Sequence, residues 1–264
     1  MVEVVGSSQL RANIVFRRMA LLGISSLISG VLVGGVLGRI VMRISAVAAG
    51  PEMVGQLTEN GNRVGEVTVV GTMILIIFVG GFSGVAGSVI VVGSDPWLKW
   101  LGPLQGLGFG LVALAATGDG SPFNSVDFFI LEPRTLNVAM FVGLHFAFGL
   151  VVSGLYWLFE RTMPPAADRE QVGYLIITGL GGAGLLLVIA LFTVPSFCGC
   201  EPNYGFLAII LAMVASTAVR HASTFIKEIP TRVARSATVI GYSSLALLLA
   251  IGLKATILQI QKIL

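Results

Sequence analysis

Residues 19–47, MALLGISSLISGVLVGGVLGRIVMRISAV, decide the class of this chain. About 20 apolar residues in a helix cross the ~30 Å hydrocarbon core of a bilayer. Counted from Met19, that length is reached at Gly38, so Arg39 stands at the boundary and Arg43 about one turn, ~5.4 Å, beyond it. Neither arginine then lies at mid-membrane, where a charge costs roughly 2.5–3.5 kcal/mol. Yet Ile40, Val41, Met42, Ile44 and Val47 keep the run apolar past the boundary. A helix projecting into bare water gains nothing from them, so the helix is expected to continue beneath a cap of loops. Four residues of separation put both guanidinium groups on one face. Glu52, Glu59, Glu66, Asp119, Asp127, Glu132 and Glu201 fall in the segments expected on that side. An ion-pair lock of Arg39 and Arg43 onto them, first of all onto Asp127 and Glu132, is expected, since a guanidinium fork holds a carboxylate with two bonds. The alternative is that both arginines snorkel to lipid headgroups.

Composition agrees with the membrane reading. Of 264 residues, 55% are hydrophobic and only 11% charged, with a mean hydropathy of +0.94, whereas a soluble domain carries about 25% charged residues. The 34 glycines suit membrane helices, whose backbones approach closely. The pI near 9.1 reflects basic residues at helix ends, not a nucleic-acid surface. The first apolar segment is too long for a cleaved signal and reads as a retained span.

Seven segments reach spanning length: 19–47, 69–93, 99–117, 135–159, 172–194, 204–226 and 237–258. Residues 8–18 read as a short interfacial helix before them. The fold class is therefore all-α, a polytopic bundle of about seven transmembrane helices in a single domain, 1–264. With the N-terminus inside, ten basic residues fall on the inner side (Arg11, Arg17, Arg18, Lys99, Arg161, Arg169, Arg220, Lys227, Arg232 and Arg235) and six on the outer (Arg39, Arg43, Arg63, Arg134, Lys254 and Lys262). The bias predicts a cytoplasmic N-terminus and an extracytoplasmic C-terminus. Trp97, Trp100 and Trp157 fall near inner boundaries, where indoles anchor. The segments GSDP, ERTMPPAADREQ and KEIPTRVARS read as short polar inner connections.

On the outer side, QLTENGNRVGEVT centres on Asn60-Gly61, a two-residue hairpin turn that would pair Leu57 with Val64 and Thr58 with Arg63. This gives the expected cap a β-hairpin-like loop. The second loop carries an apolar FFIL, which is expected to pack onto something. The third carries Cys198 and Cys200. One intervening residue strains a bridge between them, and two thiolates without a nearby histidine make a poor metal site. No metal and no cofactor are expected.

Gly30, Gly34 and Gly38 recur every four residues, as do Gly80 and Gly84 in the second span. That spacing stacks small residues on one face for helix packing, within the chain or, alternatively, between copies. The sequence GFSG, residues 81–84, resembles the serine motif of rhomboid-type intramembrane proteases, which implies a base two spans later; His145 lies there. The chain departs from that family in having one span, not three, before Ser83, and no second upstream histidine. The ordinary reading is a serine bonded to a helix carbonyl and a histidine bonded to a neighbouring helix. Lys254 on the last span resembles the retinal-binding lysine of seven-helix proteins, but the third span has no carboxylate counter-ion, so a lysine reaching to the interface is expected. His145 and His221 differ in depth by about 10 Å, too much for axial ligands of one haem. No Asp or Glu falls mid-span, which argues against a proton-coupled carrier.

The run from GRIVMRI through NGNRVGEVTVVGT to DFFILEP resembles a set of uncharacterised bacterial multipass membrane proteins. These share a basic end to the first helix, a V-G-x-x-T segment entering the second and a D-F-x-x-L-x-P outer loop. The resemblance covers roughly the first 160 residues and implies a bacterial inner-membrane location but no activity. The reading that follows is a non-enzymatic accessory, assembly or interaction component. Its partners are the lipid bilayer and a membrane protein or a second copy, with no nucleic acid. A channel or facilitator for a small solute is the alternative, and a serine hydrolase using Ser83 and His145 a further one.

Overall fold

The computed structural model describes residues 2–58, 63–66, 68–117, 127–164, 171–194, 203–226 and 229–264. They form α1 (Val2–Ser29), a π-helical stretch (Gly30–Leu37), α2 (Gly38–Ala48), α3 (Val69–Ile74), a second π-helical stretch (Leu75–Gly80) and α4 (Gly81–Leu98). After a 3₁₀ turn (Lys99–Leu104) come α5 (Gln105–Thr117), the short α6 (Asp127–Ile130), α7 (Arg134–Thr162), α8 (Gln171–Thr193), α9 (Tyr204–Phe225) and α10 (Thr231–Ile263). Among the described residues six helical segments are long and apolar enough to cross a membrane. Large apolar side chains along them, among them Val69, Ile77, Ile176, Leu186 and Val239, face outward. A water-soluble fold avoids so broad an apolar surface, whereas lipid requires it, and the architecture fits a multipass membrane protein.

The count is six because one segment, Val69–Thr117, runs for 49 residues, about 70 Å if straight and more than twice the hydrocarbon core. It is not straight. Gly102 has φ 53° and ψ −120°, with Pro103 after it. Gln105 Nε2 lies 2.9 Å from the Asp95 carboxylate ten residues earlier, against about 15 Å along a continuous helix. The chain turns back here, and α5 packs beside α4. The turn corrects two expectations. GSDP is not a connection: residues 93–96 belong to the last turns of α4, and the reversal comes at residues 99–104. Nor do residues 8–18 form a separate interfacial helix, since α1 runs through them without a break.

The first two rods, α1–α2 and α3–α4, pack antiparallel. Gly30 lies against the backbone of Gly80 and Gly84, Gly34 against Ser83 and Gly80, and Gly84 against Leu27. Main chain meets main chain here, and an added Cβ at Gly30 would overlap the Gly84 backbone. The two π-helical stretches meet across this contact. Gly38 takes no part in it; the nearest atom to an added Cβ there is the Val33 carbonyl oxygen of its own rod, at 3.6 Å. With α1 drawn in so closely, α4 becomes the centre of the molecule, packed by α1, α5, α8, α9 and α10. One apolar cluster links Leu22, Val91, Trp97, Phe109, Ile210 and Leu248 across these helices.

Between α2 and α3 the segment at 50–66 holds a 3₁₀ turn (Pro51–Met53) and a single antiparallel bridge, Leu57 to Arg63; among the described residues it forms no strand. The bridge is one residue out from the expected Leu57–Val64 pairing. A one-residue shift exchanges the faces of a paired segment, and here it buries Val64 while Leu57 remains exposed. Asn60-Gly61, Cys198 and Cys200 lie outside the described residues.

The backbone contact yields a sharp contrast between two neighbouring glycines. At Gly84 an added Cβ would sit 2.8 Å from Leu27 Cα and its carbonyl oxygen, whereas at Gly81 it would meet nothing within 4 Å. Gly84→Ala is expected to destabilise the protein in detergent by about 1–3 kcal/mol, and Gly81→Ala by no more than about 0.5 kcal/mol. Reversible denaturant unfolding of the two variants checks this; equal effects would show that the two rods do not meet at Gly84.

Candidate functional site

Helix α1 carries Arg11, Arg17 and Arg18, and each reaches the C-terminal end of a different helix. Arg18 holds Asp95 with both arms of its guanidinium: Nε donates to Oδ2 and Nη2 to Oδ1, each at 2.9 Å. Asp95 is 1% exposed. Its Oδ1 also accepts from Gln105 Nε2 at 2.9 Å, and Lys99 Nζ, one turn on along α4, stands 4.0 Å from Oδ2. A buried carboxylate is tolerable only when paired and hydrogen-bonded, and this one meets both conditions. Arg17 donates from Nε to the Pro164 carbonyl at 2.8 Å and from Nη2 to the carbonyls of Glu160 and Met163 at 3.0 Å. These are carbonyls at the end of α7, where no further turn supplies a donor. Arg11 Nη1 donates to the Thr224 carbonyl at the end of α9, at 3.3 Å.

Above the pair sits Trp97, fully buried. Its Nε1 donates to Thr217 Oγ1 at 3.0 Å, and that hydroxyl donates to the Gly93 carbonyl at 2.6 Å. The ring lies over Gly241, where any side chain would strike it. Tyr242 meets it edge-on with centroids 5.2 Å apart, and the Arg220 guanidinium lies 5.1 Å from its centre. Tyr156 donates to Glu160 at 3.0 Å, with Arg18 above its ring. Beside Trp97 a lateral groove of about 190 Å³ opens between α1, α4, α8 and α9, lined in part by Gly23, Ser88, Val92, Gly182 and Thr217.

Trp97 was expected as an interfacial anchor beside Trp100 and Trp157. Those two are 73% and 54% exposed, but Trp97 is 0% exposed and belongs to the core; its aromatic bulk fills the space that Gly241 leaves. Asp95 was missed because Asp-Pro reads as a turn. The available signal was depth: Arg18 immediately precedes the first expected span and Asp95 closely follows the end of the second, so antiparallel packing puts acid and base level.

At the opposite end, Arg39 Nη2 donates to the Glu66 carbonyl at 3.0 Å and Arg43 Nη1 to the Gly65 carbonyl at 2.7 Å. Both arginines thus hold the 50–66 segment through its main chain. Among the described residues neither arginine is paired with Asp127 or Glu132, and Glu59, Asp119 and Glu201 lie outside the described residues. Glu132 Oε1 is 2.9 Å from Arg134 Nε, and Asp127 begins α6. Carbonyls suffice because the segment turns at Gly65, φ 79°, which exposes two successive acceptors to one helix face.

Ser83 and His145 are not joined by a hydrogen bond. The Ser83 hydroxyl donates to the Gly80 carbonyl of its own rod at 3.1 Å. His145 Nδ1 is 2.9 Å from the Phe141 carbonyl, and its Nε2 is 3.1 Å from Thr117 Oγ1 on α5. Lys254 is exposed on α10. Among the described residues no group of three or more His, Cys, Asp or Glu is placed to hold a metal ion.

Set against protein-family models, curated proteins and solved structures, the chain matches none.

Proposed function

We propose that this protein is a non-enzymatic integral membrane component that crosses the bilayer seven times and holds a second transmembrane helix against α8. One observation carries the interaction reading. Gly179, Ala183 and Leu186 lie on one exposed face of α8, and an added Cβ at Gly179 would meet nothing within 4 Å. Small residues four apart let two membrane helices approach closely, and among the described residues nothing covers that face. The catalytic alternative finds less support, because Ser83 and His145 each bond within their own surroundings. So does the solute route, because Trp97, Phe109, Ile210, Met213 and Leu248 fill the space between α4, α5, α9 and α10.

Alternating direction supports the reading of seven crossings. Residues 11–18 of α1 meet the ends of α4, α7 and α9, while the Arg134 side chain at the start of α7 bonds the Ile263 carbonyl at the end of α10. The reversal at Gly102 supplies the crossing that length alone does not separate. With the ten-to-six basic bias, the Asp95 end faces the cytoplasm and the C-terminus lies outside. A reporter fused after Leu264 should read as extracytoplasmic; a cytoplasmic signal would refute the seven-pass topology.

The interaction reading is tested by Gly179→Leu combined with Ala183→Leu. The variant should keep the unfolding midpoint of the parent in detergent, since neither position packs internally. A cysteine at Leu186 should crosslink to a second membrane protein, or to a second copy, in native membranes of the parent protein. It should lose that crosslink in the variant. No crosslink in the parent, or one that survives both leucines, would refute the proposal.

A further inference from the structure

We infer that the groove between α1, α4, α8 and α9 is a binding site for one anionic phospholipid of the leaflet at the Asp95 end. The acyl chain would lie in the groove and the phosphate between Lys99 and Arg220. The groove is a strip parallel to the helices, not a closed chamber. Its walls run from Gly23 to Met19 on α1, from Ser88 to Gly93 on α4 and from Val214 to Ala218 on α9. Each wall heads toward the end where Arg18 and Asp95 meet. The groove opens sideways past Gly182 and Ala218, both exposed, so lipid has direct access. Its lining is apolar apart from hydroxyls, and those hydroxyls are occupied: Ser88 donates to the Val85 carbonyl, Thr178 to that of Tyr174 and Thr217 to that of Gly93. No polar side chain in it asks for water, which suits a hydrocarbon chain.

Charge at the Asp95 end names the head of the ligand. Three cations, Arg18, Lys99 and Arg220, lie near one another there with two acids, Asp95 and Glu160, and Arg18 already takes both oxygens of Asp95. Lys99, at 4.0 Å, stands outside hydrogen-bonding reach of it. Arg220 lies against the Trp97 ring and, among the described residues, makes no ion pair. Arg220 follows Thr217, which lines the groove, by about one helical turn, ~5 Å, so its guanidinium stands just past the Asp95 end of the groove. Lys99 shares Asp95 with Arg18 at 4.0 Å and Arg220 has no ion pair among the described residues; this excess of cations at headgroup depth, each attracting anionic lipid, complements a phosphate diester. An apolar chain alone would leave them uncompensated.

The test is lipid retention by the purified full-length protein in detergent, read by native mass spectrometry. Dioleoyl phosphatidylglycerol, dioleoyl phosphatidylcholine and inorganic phosphate are titrated separately. One phosphatidylglycerol should bind well below the concentration at which phosphatidylcholine binds, and inorganic phosphate should not displace it. Lys99→Gln with Arg220→Gln should weaken retention on the order of tenfold. Gly23→Leu with Ala218→Leu, which fill the groove, should do so on the order of tenfold with the cations intact. Equal binding of the two lipids to the unsubstituted protein, or displacement by inorganic phosphate at the lipid's own concentration, would overturn the inference without recourse to any variant. Retention unchanged by groove filling would overturn the placement of the chain.

Discussion

The Arg18–Asp95 pair is the constraint on which one end of this bundle depends. A carboxylate 1% exposed cannot exist there as an isolated charge. The bidentate fork from α1 and the bond from Gln105 make it tolerable. In doing so they fix three separate segments: α1 in register with α4, and α5 folded back after the turn at Gly102. Arg17 and Arg11 extend the same device to α7 and α9. A buried ion pair adds little stability compared with well-packed hydrocarbon, but losing one partner costs about 3–5 kcal/mol. Its value here is specificity of register. Apolar helices in lipid have no strong hydrophobic reason to choose one alignment over another.

Glycine does the complementary work farther along the same two rods. Arg18 and Asp95 align α1 with α4, and Gly30, Gly80 and Gly84 then let the backbones touch. Removing side chains there leaves α4 surrounded by five helices, with Trp97 near its end the largest fully buried side chain among the described residues. The indole needs both a cavity and a hydrogen-bond acceptor. Gly241 provides the first and Thr217 the second. The groove beside it is the place where the surrounding helices do not close on α4.

Much of this architecture was legible in the chain. Residues 19–47 announce a membrane helix by length alone, and the apolar run past Arg39 and Arg43 implied a helix that continues under a loop; α2 runs on to Ala48, with both arginines bonded to the 50–66 segment. Which atoms the arginines would bind was not legible. Carboxylates are visible in a sequence, whereas the carbonyls of Gly65 and Glu66 become acceptors only once the chain turns there. The register at 57–64 failed for a related reason: turn chemistry favoured one pairing, and burial of Val64 selected the neighbouring one. Asp95 was hidden by its proline, since Asp-Pro signals a turn by local propensity, while the tertiary structure keeps those residues in the last turns of a helix. Depth, not motif, was the informative property.

A double-mutant cycle on the central pair is the most direct measurement. Arg18→Met, Asp95→Leu and the double variant would be compared by reversible unfolding in a fixed detergent. Each single substitution should destabilise by about 3–5 kcal/mol, because each strands a buried or half-buried charge, and the double should fall well short of their sum. Single effects below about 0.5 kcal/mol, or a double variant that is simply additive, would contradict the claim that this pair sets the register of the bundle.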